Sequence, residues 1–312
     1  MNIVTSVTVR VPAKLNLQLA VGPPRADGYH DLVTVFHAVS LFDEITAEPA
    51  ARDGVAVSGE GADRVPADRD NLALRAVAAL RAARAGAPKV HITIAKRIPV
   101  AAGLAGGSGD AAAALVACNE LWNGRLGQPQ LLEVAARVGS DVAFALLGGT
   151  AVGRGRGERL TPALAPATQY HWVLAFADGY LSTPEVYAAL DRQRARAAGQ
   201  GAQAPAPPEL DAALMSALRS GDARLVGLAL SNDLQPAALS LFPALRKTLA
   251  AGLELGALGA LVAGSGPTCV FLAATADRAL DLAASLSGAG VCRSVARASG
   301  PVSGAAIVAP AR

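Results

Sequence analysis

Residues 98–122, IPVAAGLAGGSGDAAAALVACNELW, contain the most informative pattern in the chain. Within them, GLAGGSGD (residues 103–110) holds four glycines and one serine. Glycine is costly to order, so a cluster of glycines indicates backbone that must approach another group closely. An alternating segment, VHITIAK (residues 90–96), precedes this pattern, and an apolar stripe at helical spacing follows it. The pattern therefore predicts a strand, a glycine-rich loop and a helix in succession.

A glycine-rich loop that enters a helix is a candidate anion site. The first N–H groups of a helix have no intrahelical partner, and the helix dipole adds partial positive charge at the same end. Both features favour a phosphate group. The simpler alternative is a tight turn without a ligand. A dinucleotide-binding fingerprint fits less well because several strands and a helix precede the loop, and a Walker A loop would end in Lys-Ser or Lys-Thr.

Composition narrows the class of protein. The chain has 312 residues, of which 52 % are hydrophobic and 17 % are charged, and its formal net charge is +3. That length allows one large domain or two ordinary ones, and so small a charge argues against a nucleic-acid or membrane partner. The three cysteines lie scattered in apolar runs, which predicts reduced, buried thiols. Because the sequence shows neither a secretory signal nor a run long enough to span a bilayer, we expect a cytoplasmic location.

The remaining segments predict an α+β fold with two lobes. Alternating runs near the N-terminus, including residues 33–45, are typical of strands. A second set of strands and helices begins at YHWVLAFA, residues 170–177. We therefore predict an N-terminal lobe over residues 1–162, which carries the glycine-rich loop, and a C-terminal lobe over residues 163–312. Residues 197–209 have the composition of a flexible insertion.

Three ordered motifs resemble those of the GHMP kinase superfamily. The pattern PxxxGLxGGSxDAA, residues 99–112, is similar to the second motif of that superfamily, which binds ATP. VPAKLNLQLAVG, residues 11–22, is similar to the first motif, and VAGSGPTCVF, residues 262–271, is similar to the third. The segments ADGYHDLVTVF (residues 26–36) and GSDVAFALLGGTAVGRGRGE (residues 139–158) resemble the branch that phosphorylates a cytidine-linked methylerythritol.

This resemblance implies a two-lobed GHMP kinase fold and a site for ATP with Mg²⁺. The loop departs from the pattern at Gly109, where Ser or Ala is usual, and at Ala101-Ala102, where glycine is common. Asn71 lies where the family approaches adenine, but it can equally cap the helix that follows it. The ATP-binding residues that the resemblance implies are Pro99, Val100, Ala101, Ala102, Gly103, Leu104, Ala105, Gly106, Gly107, Ser108, Gly109 and Asn71.

The same resemblance assigns the catalytic roles to Asp141 and Lys14. Asp141 would accept the proton of the attacking hydroxyl, and Lys14 would be its electrostatic partner. Without the resemblance, Asp141 has the position of a first-turn helix acid or N-cap, and Lys14 that of a solvated residue at a strand end. Mg²⁺ would be held mainly by phosphate oxygens and water. Asp110 could assist it or simply favour the helix N-terminus.

A pocket for a small-molecule substrate that carries a cytidine diphosphate is also implied. Tyr29 and Tyr187 would stack on the cytosine, and His30 would hydrogen-bond its edge. The alternatives are turn residues for Tyr29 and His30 and a helix-face core residue for Tyr187. The reaction implied is transfer of the ATP γ-phosphate to the 2-hydroxyl of 4-diphosphocytidyl-2-C-methyl-D-erythritol, on the non-mevalonate route to isopentenyl diphosphate, by a monomer or homodimer. Other candidates are a GHMP-type kinase for homoserine, mevalonate or a sugar, and a non-catalytic RNA-binding module.

Overall fold

The larger of two β-sheets is built around two long antiparallel strands, β1 (Val7–Pro24) and β2 (His30–Pro49). The computed structural model describes residues 5–83, 87–124, 126–164, 166, 168–201, 203 and 206–308. Within these ranges the larger sheet has eight strands, of which the other six are β3 (Gly54–Gly59), β4 (Val90–Lys96), β5 (Thr150–Gly155), β6 (Arg159–Pro162), β8 (Ser231–Asn232) and β12 (Ala306–Ile307). Strands β12-β1-β2-β4-β3 are neighbours in that order, β5 pairs with β2 and β6, and β8 pairs with β1.

The smaller sheet has four described strands in the order β11-β7-β10-β9. They are β7 (Tyr170–Phe176), β9 (Gly259–Val262), β10 (Cys269–Ala273) and β11 (Ser294–Gly300). Four of the described α-helices pack with the larger sheet: α1 (Leu72–Ala82), α2 (Gly106–Leu121), α3 (Gln128–Val138) and α4 (Ser140–Leu147). Six more of the described α-helices lie with the smaller sheet: α5 (Thr183–Gly199), α6 (Ala212–Ser220), α7 (Ala223–Leu228), α8 (Gln235–Leu241), α9 (Leu245–Glu254) and α10 (Ala276–Ala289).

The path of the chain between the sheets bears on the two predicted lobes. The chain leaves the larger sheet at Pro162 and enters the smaller sheet at Tyr170, but β8 and β12 return to pair with β1. The α+β class is confirmed, while the boundary at 162/163 stays a prediction. Of the segment 197–209, residues 202, 204 and 205 lie outside the described residues. No helix in the described part of the chain is long and apolar enough to cross a membrane.

Helix α2 is the centre of the core that covers the larger sheet. Its alanines are buried against β1, β2 and α1, and Leu115 and Cys118 are buried with them. Small side chains let a helix approach a sheet closely, so an alanine-rich sequence suits a helix that is buried on nearly every side. This packing holds the glycine-rich N-terminus of α2 in a fixed place.

Strand β1 separates a core from the candidate site. Leu15 and Leu17 point into a core shared with Trp172 of the smaller sheet. Because successive strand side chains point to opposite faces, Lys14 and Asn16 point the other way. Both of these polar residues are buried and line the cavity described below.

His37 on β2 lies in the same shared core and outside that cavity. Its Nδ1 is 2.9 Å from the Thr150 Oγ1, and its ring packs near Trp172. Burial lowers the pKa of His37 to about 3, against a smaller opposing effect of a hydrogen bond to the Gly300 backbone. The imidazole is therefore neutral in the folded protein.

We expect this neutral histidine to make stability fall in acid. His37 binds a proton near pH 6.5 in the unfolded chain and only near pH 3 in the folded chain. Its contribution to the free energy of unfolding is therefore full above pH 6.5 and is lost as the pH falls. The loss is about 1.4 kcal/mol per pH unit, or roughly 2–3 kcal/mol between pH 6.5 and 4.5. Urea unfolding at several pH values measures it. His37→Asn should flatten the dependence by that amount, and equal slopes in the two proteins would contradict the prediction.

Candidate active site

A cavity of about 1030 Å³ collects nearly all of the predicted site residues. Leu104 packs instead in the core shared by the two sheets, and Gly109 lies against Val11. The predicted residues that line the cavity are Lys14, Tyr29, His30, Asn71, Pro99, Val100, Ala101, Ala102, Gly103, Ala105, Gly106, Gly107, Ser108, Asp141 and Tyr187. The three sequence motifs and the α5 helix therefore meet at one place.

Lys14 and Asp141 form an ion pair across the cavity. Lys14 lies on β1 and Asp141 in the first turn of α4, and Lys14 Nζ is 3.7 Å from Asp141 Oδ2. Lys14 Nζ also donates to Asn16 Oδ1 at 2.7 Å, and Asn16 Nδ2 donates to Thr34 Oγ1 at 2.8 Å. This chain of hydrogen bonds fixes where the ammonium lies. A substrate hydroxyl beside Asp141 would meet a proton acceptor and a cation together.

The α2 N-terminus has the properties of an anion site. The first helical hydrogen bond runs from the Gly109 N–H to the Ala105 carbonyl at 2.9 Å, and no side chain caps the preceding N–H groups. Ala101 and Ala105 have φ of 54° and 58°, in the left-handed region that costs a non-glycine residue about 1–2 kcal/mol. Of the two alanines where glycine is common, Ala101 therefore lies in strained backbone and Ala102 does not. At the third departure, a Cβ at Gly109 would be 3.4 Å from Val11 Cγ1.

The second and third motifs touch backbone to backbone at Gly103. Its φ is 77°, and a Cβ there would collide with the carbonyl oxygen of Ala263. Asn232 holds the third motif in place, because its Nδ2 donates to the carbonyls of Val262 (2.8 Å) and Gly264 (2.7 Å). Glycine at position 103 is thus required by close approach of two loops.

Beneath the loop lies a buried charge cluster, of which the sequence pointed only to Asp110. Lys96 Nζ contacts Asp43 Oδ2 and donates to Asp110 Oδ2 at 2.8 Å. Asp43 Oδ1 accepts from the backbone N–H groups of Arg97 (2.6 Å) and Ile98 (2.8 Å). Lys96 and Asp110 line the cavity, and all three charged side chains are almost fully buried. Asp43 could have indicated this cluster, because it is a charged residue within an apolar strand pattern.

Burial and neighbouring charge of the other sign act in opposite directions on the pKa values of Asp110 and Lys96. Burial raises the pKa of Asp110, to about 7, although the neighbouring Lys96 opposes the rise. Burial alone would lower the pKa of Lys96, but the charges of Asp110 and Asp43 outweigh it, so that pKa is raised. Lys96 therefore stays charged, and Asp110 Oδ1 is left without a hydrogen-bond partner among the described residues.

The three residues predicted to bind the cytidine lie together in one part of the cavity. His30 is buried, with its ring centre 5.0 Å from that of Tyr187, and its Nε2 is 3.0 Å from Asp191 Oδ1. Tyr29 is 55 % exposed at the rim of the cavity. Burial, and then the charge of Asp141, raises the pKa of the Tyr187 hydroxyl, which therefore keeps its proton.

Asn71 caps helix α1. Its Oδ1 accepts from the Ala73 N–H at 2.9 Å, and its Nδ2 donates to the Pro66 carbonyl at 2.7 Å. The capping alternative considered above therefore holds. The side chain also lines the cavity, so its contact with adenine stays a prediction.

We expect Gly106→Val to abolish tight ATP binding. A Cβ at position 106 would be 3.0 Å from Lys96 Nζ and 3.1 Å from Ile98 Cγ2, and the branched side chain would stand beside the first free N–H groups of α2. The dissociation constant for ATP should rise at least roughly tenfold, since the backbone can no longer approach the phosphates. Calorimetric titration measures it. Gly288→Val, on α10 where a Cβ meets nothing within 4 Å, should bind normally. Unchanged affinity in Gly106→Val would refute the prediction.

Comparison with known proteins gives the family. The family model "GHMP kinases N terminal domain" matches residues 71–149, and "GHMP kinases C terminal" matches residues 214–292. A 4-diphosphocytidyl-2-C-methyl-D-erythritol kinase from Thermobifida fusca is 56 % identical, over 99 % of this chain and 100 % of the relative. The chain belongs to the 4-diphosphocytidyl-2-C-methyl-D-erythritol kinase family. A second member of the family, from Mycolicibacterium smegmatis, is 57 % identical over 97 % of this chain and 92 % of its own.

Solved structures agree with this membership. A crystal structure of 4-(cytidine 5'-diphospho)-2C-methyl-D-erythritol kinase matches with a TM-score of 0.74 and 34 % identity, covering 93 % of this chain and 98 % of that chain. A homoserine kinase from Cytophaga hutchinsonii matches with a TM-score of 0.75 but 20 % identity, over 99 % of both chains, and so shares the fold alone. The two-lobed GHMP kinase fold implied by the motifs is confirmed.

Proposed function

We propose that the protein transfers the γ-phosphate of ATP to the 2-hydroxyl of 4-diphosphocytidyl-2-C-methyl-D-erythritol. The observation that carries this proposal is the single cavity shared by the Lys14–Asp141 pair, the glycine-rich loop and the aromatic cluster around His30. A kinase for a nucleotide-linked alcohol needs these three groups close enough together to act on both bound substrates at once. The relatives that bear the name of this activity support it further.

The chemical step needs one proton acceptor and charge control. The substrate 2-hydroxyl gives its proton to Asp141 Oδ2, and its oxygen forms a bond to the γ-phosphorus while the bond from that phosphorus to ADP breaks. Lys14 lies 3.7 Å from the carboxylate and offsets charge on the transferred group. Asn16 holds Lys14 in this position through its 2.7 Å hydrogen bond.

The start of α2 supplies the groups that would bind the phosphates of ATP. The free N–H groups at the start of α2 bind phosphate oxygens. Mg²⁺, when bound, neutralises the charge that develops on the phosphoryl oxygens. No group of three or more His, Cys, Asp or Glu in the described part of the chain forms a metal cage. Asp110 lines the cavity, and its Oδ1 has no hydrogen-bond partner among the described residues, so its carboxyl group would fit a magnesium held mainly by phosphate oxygens and water.

In this proposal, the part of the cavity around His30 accepts the cytidine. Tyr29 and Tyr187 supply aromatic faces for the base. The His30 Nε2 is taken by Asp191, so Nδ1 is the ring nitrogen left for the base edge. The cytoplasmic location and the monomeric or homodimeric state stay predictions.

A coupled ADP-release assay with Mg-ATP tests the proposed function. It compares 4-diphosphocytidyl-2-C-methyl-D-erythritol with the methylerythritol phosphate that lacks the cytidine. We expect turnover with the cytidine compound alone. Equal turnover with both compounds would refute the cytidine pocket. Turnover with neither would refute the proposed substrate, and homoserine and mevalonate would then be assayed next.

A further inference from the structure

The cations that line the cavity differ in whether they are already paired. Four lysines and arginines line it: Lys14, Arg64, Lys96 and Arg156. Lys14 is paired with Asp141, and Lys96 lies between Asp43 and Asp110. Among the described residues, neither Arg64 nor Arg156 forms an ion pair with a carboxylate within 4 Å. These two guanidinium groups are therefore available to an anionic ligand.

Arg156 is exposed beside the residues predicted to bind the cytidine, and its backbone is held in a turn. It lies in the turn between β5 and β6, flanked by Gly155 (φ 73°) and Gly157 (φ 103°). Its backbone N–H donates to Glu158 Oε2 at 2.7 Å, which holds the turn from within. Its guanidinium carbon is 5.1 Å from the centre of the Tyr29 ring, within the range of a cation–π contact.

The same turn also approaches the catalytic end. A Cβ at Gly157 would be 3.4 Å from Phe36 Cζ and 3.8 Å from Ser140 Cβ. Ser140 immediately precedes Asp141 at the start of α4. Arg156 is thus attached between the aromatic group for the base and the carboxylate for the hydroxyl.

In a cytidine-linked alcohol, the diphosphate is the part that lies between the base and the reacting hydroxyl. We propose that the guanidinium of Arg156 binds this diphosphate and makes the site prefer a cytidine diphosphate over cytidine. The inference rests on the proposed function. A guanidinium offers a planar fork of donors that matches two phosphate oxygens. Stacking on Tyr29 leaves the edge of that fork free for them.

Two other roles for Arg156 give different results. As a solvated turn residue, it would affect neither ligand. As a support for the Tyr29 ring, it would affect the base, and hence cytidine and cytidine diphosphate equally. Of these three roles, only binding of the phosphates changes the ratio of the two affinities.

The test measures binding of cytidine 5'-diphosphate and of cytidine to the full-length protein by calorimetry, with a non-hydrolysable ATP analogue saturating the ATP site. We expect Arg156→Gln to weaken cytidine 5'-diphosphate about ten- to a hundredfold, with cytidine changed less than about threefold. Tyr29→Ala should weaken both ligands. Arg154→Gln is the matched control, because Arg154 is exposed, lies two residues away on β5 and does not line the cavity. It should change neither affinity.

Kinetics supply a second readout. Arg156→Gln should raise the KM for the cytidine-linked substrate by a similar factor while kcat falls less than about threefold, because the charge of the diphosphate is the same in the ground state and in the transition state. Equal losses for both ligands, or no loss, would overturn the assignment of Arg156. A wild-type protein that binds the ATP analogue but neither cytidine compound would overturn the proposed function itself, which is a distinct result.

Discussion

Replacing Asp141 by Asn should lower kcat by about two to four orders of magnitude, the usual value of a positioned general base. The amide cannot accept the hydroxyl proton, yet it nearly matches the carboxylate in size, so the helix start and the cavity should keep their shape. ATP affinity should stay within about threefold, since the loss concerns the transition state rather than nucleotide binding. Single-turnover kinetics with the cytidine-linked substrate and calorimetry with ATP measure the two quantities separately.

The matched control for this variant is Asp277→Asn. Asp277 is also an acid in the first turn of a helix, α10, and it is exposed and does not line the cavity. If Asp141 served only the helix dipole, both variants would lose about 0.3–1 kcal/mol of stability and keep their turnover. Near-normal turnover in Asp141→Asn would therefore contradict the catalytic role and leave Asp141 as a first-turn helix acid.

Replacing Lys96 by Met should lower the free energy of unfolding by about 3–5 kcal/mol, because removal of one partner leaves buried charge without compensation. Asp43 and Asp110 would then face each other with no cation between them, and the Lys96 side chain is only 1 % exposed. Urea unfolding measures the loss. Lys89→Met is the control, since Lys89 is 54 % exposed and Asp53 would keep its partner Arg81, so the Lys89–Asp53 pair should contribute less than about 1 kcal/mol.

The loss in Lys96→Met should also depend on pH. In the wild type, burial already raises the pKa of Asp110 from 3.8 to about 7. The folded protein thus keeps a proton that the unfolded chain releases, and stability from this group falls as the pH rises through that window. Without the Lys96 charge, which opposes the rise, the pKa of Asp110 goes higher and the fall extends further. Destabilisation should therefore be larger at pH 8 than at pH 5, and Asp110→Asn added to Lys96→Met should recover part of it. A loss as small as that of Lys89→Met would contradict the role of the cluster.

Local sequence was sufficient for the parts of the site that depend on neighbouring residues. The glycine-rich loop and the helix after it were predicted because glycine content and apolar spacing express local backbone needs. The three motifs then implied the superfamily and its fold, which the family models confirm. Asn71 illustrates the limit of this reasoning, since a helix cap and an adenine contact need the same residue type at the same place.

Tertiary structure alone decided which distant residues meet. Lys14 and Asp141 lie on β1 and α4, and only the packing of those elements brings them to 3.7 Å. Lys96 reaches two carboxylates because β2, β4 and α2 converge beneath the loop. The role proposed for Arg156 depends on the position of its guanidinium beside the Tyr29 ring. The sequence by itself determined the elements and the glycine-rich loop, because those follow from local conformational preference. Charge pairing across the cavity depends on distances that local preference does not contain, and so it was settled only by the packed fold.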